Sequence, residues 1–123
     1  MGEVCSPVTF ALALLACSYL PGYDRGSASW YGTEQLRRNH HHAMANGEKY
    51  DPRKMTAASN RYALGTVLEV TNCDTDQRVI VTVTDRGPRE DLGRIIDVSE
   101  AAAKILGFRQ AGLANVAIMV RHY

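Results

Sequence analysis

Length, composition and charge limit what this chain can be. Its 123 residues, 46% of them hydrophobic, suffice for one domain with a modest core that does not depend on several disulfides. Fourteen Lys and Arg against thirteen Asp and Glu give a formal net charge of +1. Because this balance provides no overall field for holding a polyanion, a nucleic acid partner is not expected.

Residues 1–25 are predicted to be a signal peptide with a lipobox, followed by a short linker. The apolar run 8–16 (VTFALALLA) is far shorter than the roughly 20 residues of a membrane-spanning helix but has the size of a signal-peptide core. Residues 14–17 (LLAC) resemble a bacterial lipobox, which predicts an exported protein held at the periplasmic face of the outer membrane by a lipid on Cys17. No Lys or Arg precedes the run, so an alternative stays open in which it is the first buried element.

The three cysteines allow two arrangements. If Cys17 is lipidated, Cys5 leaves with the signal and Cys73 is the only thiol of the folded domain. The alternative is a disulfide between Cys17 and Cys73. A catalytic role for Cys73 is not favoured, because it lies in a predicted polar turn without a helix N-terminus to activate the thiol.

The folded domain is predicted to cover residues 26–123. Runs rich in β-branched and aromatic residues predict strands at 27–31, 66–71, 77–84, 94–98 and 115–122, with a hairpin connection at 71–76. One helix is expected at 101–106, with Ser99 as its N-cap, Glu100 in its first turn and Gly107 at its end. Many short strands with no βαβ alternation favour a mainly β domain, a small closed or nearly closed barrel with one or two short helices.

The end of the strand 77–84 is the most informative local feature. A buried apolar run ends there in Asp85, Arg86, Gly87 and Pro88. Because proline ends ladder pairing and glycine permits a sharp turn, Asp85 is predicted to be held on a rigid element at the rim of a sheet, where functional residues concentrate. The alternative is that Asp85 only caps the turn by accepting backbone N–H groups.

A long segment between the first two predicted strands, residues 32–56, shows little periodicity. In so small a domain, a loop of this length is more often a binding loop than a plain connection. It contains His40, His41 and His42, and consecutive imidazoles can bind zinc. Neighbours in a loop rarely face one ion, and no Cys or Glu is suitably spaced, so no metal and no other cofactor is expected.

Six motifs occur in order along the chain: residues 26–32 (GSASWYG), 45–51 (ANGEKYD), 55–58 (MTAA), 64–66 (LGT) with 70–72 (VTN), 85–88 (DRGP) and 96–103 (IDVSEAAA). Their order and spacing resemble the rare lipoprotein A family. The resemblance implies a small six-stranded double-psi β-barrel and peptidoglycan as substrate. In the family it further implies an endolytic lytic transglycosylase that prefers glycan strands stripped of their peptides.

When the family's motifs are matched to this sequence, its catalytic aspartate corresponds to Asp85. A glutamate that is linked to activity in the family corresponds to Glu48. The family's third residue, a histidine, falls on Ser59. This is the main departure, because serine neither titrates near neutral pH nor holds a charge as imidazole does.

The chemistry implied by the resemblance needs only one protonated acid. The acid protonates the leaving oxygen between N-acetylmuramic acid and N-acetylglucosamine, and the C6 hydroxyl of the muramyl ring then closes on C1 to give a 1,6-anhydro product. Asp85 must therefore keep a proton near neutrality, and repulsion from a nearby Asp97 would favour this. The alternative for Asp97 is a helix cap or turn acid. Arg86 either binds a sugar or lactyl group or forms an ion pair with Asp97 or Glu90.

Other side chains are predicted to bind the substrate. Trp30, Tyr31 and Tyr50 offer flat faces to pyranose rings. Trp30 alternatively packs in the core, as a single tryptophan in a small barrel often does. Asn46 belongs to a tight turn that brings Glu48 to the groove.

Two functions follow. The first is a lytic transglycosylase that acts on peptidoglycan glycan strands as a monomer, with no membrane contact other than the lipid. The second is a non-catalytic peptidoglycan-binding or expansin-like wall-loosening module, which the serine at position 59 favours.

Overall fold

The structure is a computed structural model that describes residues 17, 22–32, 43–88 and 93–123. These residues contain six strands and one helix. In chain order they are β1 (Asp24–Tyr31), β2 (Thr56–Ala58), β3 (Val67–Asn72), β4 (Arg78–Asp85), β5 (Arg94–Ser99), α1 (Glu100–Leu106) and β6 (Leu113–His122).

The six strands close into a barrel in the order β1-β5-β2-β4-β3-β6. The pairs β1/β5 and β2/β4 are parallel, and the other four pairs are antiparallel. Closure leaves no sheet edge open to further pairing. The prediction of a mainly β, six-stranded barrel is therefore confirmed.

Alternation along the strands builds the core. In β4, Val79, Val81 and Val83 are buried, whereas Arg78 and Ile80 are exposed and Thr82 is only partly buried. The inward side chains join the buried face of α1 in one apolar cluster, in which Leu68, Ile96 and Leu106 have no exposed surface. The hydrophobic effect of this burial is the main force that stabilises the barrel.

The helix begins and ends as predicted. Ser99 is the N-cap, and its Oγ accepts a hydrogen bond from the N–H of Ala102. Gly107 ends the helix in the left-handed conformation at φ 83°. An added Cβ there would meet only the end of the flexible Gln77 side chain, so the left-handed conformation is the main reason for glycine.

Two strand predictions were incomplete. Strand β2 was missed because its three residues, Thr56, Ala57 and Ala58, are too few to show a period and include two alanines, which are depleted in strands. It forms nevertheless because it pairs with β4 and β5. Strand β1 begins at Asp24 rather than at residue 27, because residues 24–26 pair with β6. Asp24 and Arg25 therefore lie in the barrel and not in the predicted linker.

A disulfide joins Cys17 to Cys73, with the two Cα atoms 5.7 Å apart. A sulfur in this bond cannot also form a thioether to a lipid. Lipidation of Cys17 is therefore wrong for the form of the chain that the structure describes, and the disulfide alternative is the one observed. The rest of the predicted signal peptide lies outside the described residues, and none of the described helices is long and apolar enough to span a bilayer.

Candidate active site

The register of four strands brings the two predicted acids to one place on the barrel. Ala58 of β2 pairs with Asp85 of β4 on one side and with Asp97 of β5 on the other. Asp97 in turn pairs with Ser29 of β1. Because adjacent strands lie roughly 4.8 Å apart, the Cα atoms of the two acids are roughly 10 Å apart.

Part of this row lies outside the core. Ala57 belongs to the core cluster, whereas Ala58 packs in a separate cluster with Tyr31, Met44 and Tyr50. Because successive strand residues point to opposite faces, Ala58 and its cluster lie outside the core. The small Ala58 side chain separates the two acid-bearing strands.

The carboxylate of Asp85 is half-buried and held through one oxygen. Oδ1 accepts hydrogen bonds from the backbone N–H of Ala45 at 2.9 Å and of Arg86 at 2.8 Å. Within the described residues, Oδ2 accepts no hydrogen bond and no guanidinium contacts the carboxylate. One oxygen therefore fixes the orientation of the group, and the other has no hydrogen-bond partner among the described residues.

Glu48 reaches this region on a turn that is docked on the end of β4. The turn is closed by hydrogen bonds from Met44 N to Glu48 O and from Gly47 N to Met44 O, both 2.8 Å long. Gly47 adopts φ 90°, a conformation that strongly favours glycine. A further bond of 3.1 Å from Asn46 N to Thr84 O ties the turn to the strand.

Asn46 and Glu48 hold each other. The Asn46 amide donates to Glu48 Oε1, and Glu48 N donates to Asn46 Oδ1, each at 2.9 Å. Asn46 thus orients an exposed carboxylate on the turn whose neighbouring residue, Ala45, binds Asp85. The structure therefore gives Asn46 a positioning contact with Glu48.

Tyr31 and Tyr50 are both buried. Their ring centroids are 4.5 Å apart, the Tyr50 hydroxyl donates to Tyr31 O at 2.7 Å, and the two residues are only 6% and 5% exposed. Tyr31 therefore has no open face for a sugar, whereas Tyr50 also lines the pocket formed by residues 49–54, so sugar binding by Tyr50 stays a prediction. Burial raises the pKa of both phenols, and the charge of Asp85 adds to the rise at Tyr31, which is consistent with a Tyr31 hydroxyl close to Asp85.

Trp30 takes the alternative of packing against the core. Its Nε1 donates to Arg109 O at 2.9 Å, and the Arg109 guanidinium lies 5.3 Å from the ring centroid. Glu100 holds that guanidinium through a 2.7 Å contact. These contacts leave Trp30 partly exposed but already stacked, so a sugar would have to displace Arg109 from that face of the ring.

Asp97 is the second partly buried carboxylate of the row. Ser29 Oγ donates a short hydrogen bond to Asp97 Oδ1, and Arg94 Nη1 donates to Ser29 Oγ at 3.2 Å. Burial raises the pKa of Asp97, and the Ser29 hydrogen bond and the Arg94 charge partly offset this rise. The helix-cap alternative for Asp97 is wrong, because Ser99 caps the helix.

Ser59 and Arg86 connect the end of β4 to the loop after β2. Ser59 has no exposed surface, its N–H donates to Asp85 O at 3.0 Å, and its Oγ accepts from Arg61 N at 3.0 Å. Arg86 Nη1 donates to Ser59 O and to Tyr62 O. Neither prediction for Arg86 describes these contacts: it forms no ion pair with Asp97, and Glu90 lies outside the described residues.

Sequence reasoning missed several residues that shape the site. Ala45 acts through its backbone N–H, which every residue except proline has, so no sequence signal marks it. Asn60 binds the loop after Asp85 through its side-chain amide, and a polar residue in a loop carries no sign of its partner. The three histidines at 40–42 lie outside the described residues, so the expectation that they bind no metal stays a prediction.

The closed six-stranded barrel with this strand order is a double-psi β-barrel, and it carries a half-buried carboxylate at the end of β4 beside a docked acidic turn. A family model described as "Lytic transglycolase" matches residues 23–118. The match covers most of the chain, and the chain belongs to this family.

Curated relatives agree with this assignment. Over 97 residues the chain is 47% identical to the "Endolytic peptidoglycan transglycosylase RlpA" of Vibrio cholerae, a match that covers 79% of this chain and 35% of the relative. It is 48% identical over 93 residues to the protein of the same name from Pseudomonas aeruginosa, covering 76% of this chain and 26% of the relative. The chain thus spans about a third or less of the length of these relatives.

Solved structures share the fold at lower identity. An expansin from Clavibacter michiganensis superposes with a TM-score of 0.57 at 23% identity, covering 80% of this chain and 50% of the expansin. A Streptomyces papain inhibitor superposes with a TM-score of 0.62 at 20% identity, covering 82% of this chain and 96% of the inhibitor. These likenesses show the barrel fold alone.

Proposed function

We propose that this domain is an endolytic peptidoglycan lytic transglycosylase in which Asp85 is the catalytic acid and then the base. The observation that carries the proposal is the setting of the Asp85 carboxylate, which is half-buried at the end of β4. Oδ1 is fixed by two backbone N–H groups, and Oδ2 has no hydrogen-bond partner within the described residues. Family membership supports the reaction class.

In the proposed reaction, Asp85 first donates a proton and later accepts one. Asp85 Oδ2 gives its proton to the oxygen that links the muramyl C1 to the next sugar, and that bond breaks as positive charge develops at C1. The C6 hydroxyl of the same ring then forms the new bond to C1 and returns its proton to Asp85. The acid is regenerated, no water is consumed, and the new end is a 1,6-anhydro sugar.

Glu48 has a second role in this proposal. It is an exposed carboxylate, and Asn46 fixes its orientation. A preorganised negative charge stabilises positive charge that develops at C1 in the transition state. Because no proton transfer is required of Glu48, its replacement by Gln should lower kcat less than replacement of Asp85 does.

The charge of the neighbouring surface supports glycan strands without peptides as substrate. A pocket of about 420 Å³ is lined by residues 49–54, which come directly after Glu48 in the sequence. Three of these residues, Lys49, Arg53 and Lys54, are cationic. Asp51 pairs with Arg53 at 3.1 Å, which leaves a net positive surface. Each muramyl residue without a peptide carries a free lactyl carboxylate, and cationic side chains attract such groups.

A second candidate is a non-catalytic wall-binding or wall-loosening module. The observation that favours it is Ser59, which replaces the family histidine and is fully buried, so no imidazole is present at that position. Such a module would bind glycan without producing anhydro ends.

One experiment separates the two functions. Peptide-free glycan strands are digested with the wild type and with Asp85→Asn, and the products are read by mass spectrometry. A transglycosylase releases 1,6-anhydro ends, and Asp85→Asn abolishes their release. If both proteins sediment with sacculi but neither releases products, the binding module is correct.

Export is also part of this proposal, since the substrate of the family lies in the cell wall. Lipid anchoring at Cys17 requires a free thiol there, so it applies only to chains that lack the bond to Cys73. Intact mass distinguishes the two states, because acyl chains add mass whereas disulfide formation removes two hydrogen atoms.

A further inference from the structure

The end of β4 and the loop after β2 are joined by a network of hydrogen bonds behind the Asp85 carboxylate. We call residues 59–62 and 85–88 together the tip clamp. Ser59 N donates to Asp85 O at 3.0 Å and continues the pairing of β2 with β4 beyond Ala58. The main chain that carries the carboxylate is thus fixed on the side of the barrel where the β2 loop lies.

Arg86 forms the first arm of the tip clamp. Its Nη1 donates to Ser59 O at 3.0 Å and to Tyr62 O at 2.7 Å, so one nitrogen uses both of its hydrogens on two carbonyls of the same loop. This contact bends the side chain back across the loop. Nη1 is therefore already occupied, and no contact joins the guanidinium to the Asp85 carboxylate among the described residues.

Asn60 forms the second arm. Its Oδ1 accepts from Gly87 N at 3.0 Å, and its Nδ2 donates to Pro88 O at 3.0 Å. Gly87 adopts φ 118°, which a residue with a side chain rarely adopts, so the chain turns sharply immediately after Arg86. The amide thus holds both sides of this turn.

We propose that Arg86 and Asn60 are positioning residues that fix the Asp85 carboxylate through the main chain, an inference that rests on the proposed function. Arg86 has a further effect, because its own N–H is one of the two donors to Asp85 Oδ1. Movement of the Arg86 main chain would therefore change the direction in which Oδ2 points. A reacting group displaced by about 1 Å can lose on the order of 100-fold in rate.

The tip clamp also accounts for the serine at position 59. The N–H, the carbonyl and the hydroxyl of Ser59 are all engaged, and the residue has no exposed surface. In this chain position 59 acts on Asp85 through the backbone, and its fully buried side chain offers no surface to a ligand. A missing imidazole at this position therefore need not remove activity.

The test compares Arg86→Gln, Arg86→Lys and Asn60→Ala with the wild type. Arg78→Gln is the matched control, because Arg78 lies at the opposite end of β4 and pairs with Asp76 at 3.8 Å. Two readouts are needed: steady-state cleavage of peptide-free glycan, and hydrogen–deuterium exchange at the amides of Ser59 and Gly87. Melting temperatures confirm that each variant is folded.

We expect Arg86→Gln and Asn60→Ala to lower kcat by roughly 10- to 100-fold while KM stays within about twofold. In Asn60→Ala, amide exchange at Gly87 should accelerate by about fivefold or more, because this variant deletes the hydrogen bond from Gly87 N to Asn60 Oδ1. Arg86→Lys should recover part of kcat, since an ammonium can still donate to both carbonyls. Arg78→Gln should behave as the wild type in both readouts.

The opposite pattern would overturn the proposal. A rise in KM with unchanged kcat in Arg86→Gln means that the guanidinium binds substrate, and unchanged exchange at Gly87 in Asn60→Ala means that the clamp does not hold the turn. If the wild type cleaves no glycan, the proposed function is wrong, and the exchange readout alone decides whether the clamp exists. If Arg86→Gln does not fold, Arg86→Lys and Asn60→Ala decide in the same way.

Discussion

The disulfide between Cys17 and Cys73 has a stabilising effect that can be calculated from its loop. The two cysteines are 56 residues apart. In the chain-entropy model, a cross-link of that span removes enough freedom from the unfolded chain to stabilise the fold by about 4 kcal/mol at 25 °C. For a domain of this size, that stabilisation corresponds to a melting temperature higher by roughly 15 °C.

Thermal and urea unfolding, followed by circular dichroism, test this figure. The wild type is measured with and without a thiol reductant, beside Cys73→Ser and Cys17→Ser, with Cys5→Ser as control because Cys5 is not part of the bond. We expect the reduced wild type and both bond-deleting variants to melt together, well below the oxidised protein. If all of these proteins melt within about 2 °C of one another, the bond does not constrain the chain and the reasoning is wrong.

Three further predictions concern the site. Burial raises the pKa of the Asp97 carboxyl above its unfolded value of 3.8, so the folded state binds the carboxyl proton more tightly than the unfolded state does. The free energy of unfolding should therefore fall as pH rises from 3.8 through the raised pKa of the folded state, and level off above it. Asp97→Asn should flatten that part of a urea-unfolding series, and an unchanged slope would show that another group titrates. Ser59→Ala removes only the acceptor for Arg61 N, so it should cost about 1 kcal/mol in urea unfolding while glycan cleavage stays within about twofold of the wild type. A large loss of cleavage would instead show that the hydroxyl acts on the substrate. Tyr50→Phe deletes two hydrogen bonds, the one donated to Tyr31 O and the one accepted from Glu100 N, and should destabilise the fold by about 2 kcal/mol, whereas equal stability would mean that water replaces both bonds.

Much of the barrel was predictable because its signals are local. The alternation of buried valines in β4 and the capping pair Ser99 and Gly107 each depend on residues close together in sequence. Strand β2 was not predictable, because its three residues pair only with strands that come later in the chain. Propensity carries no information about partners so far along the sequence.

The residues of the site also fall into those that local sequence signals predict and those that they do not. The strand end marked Asp85 as a candidate, and the Asn46–Gly47 pair indicated a turn that carries Glu48. The burial of Tyr31 and Tyr50 was missed, because aromatic rings look alike in a sequence whether they face a ligand or pack against each other. The contacts of Arg86 with backbone carbonyls were missed because a carbonyl has no sequence identity.

The central claim is that Asp85 moves a proton while the muramyl C6 hydroxyl, and not water, attacks C1. Digestion of peptide-free glycan strands in ¹⁸O-labelled water tests it most directly. The account predicts unlabelled 1,6-anhydro ends from the wild type and no cleavage by Asp85→Asn. Labelled reducing ends, or equal cleavage by the variant, would contradict it.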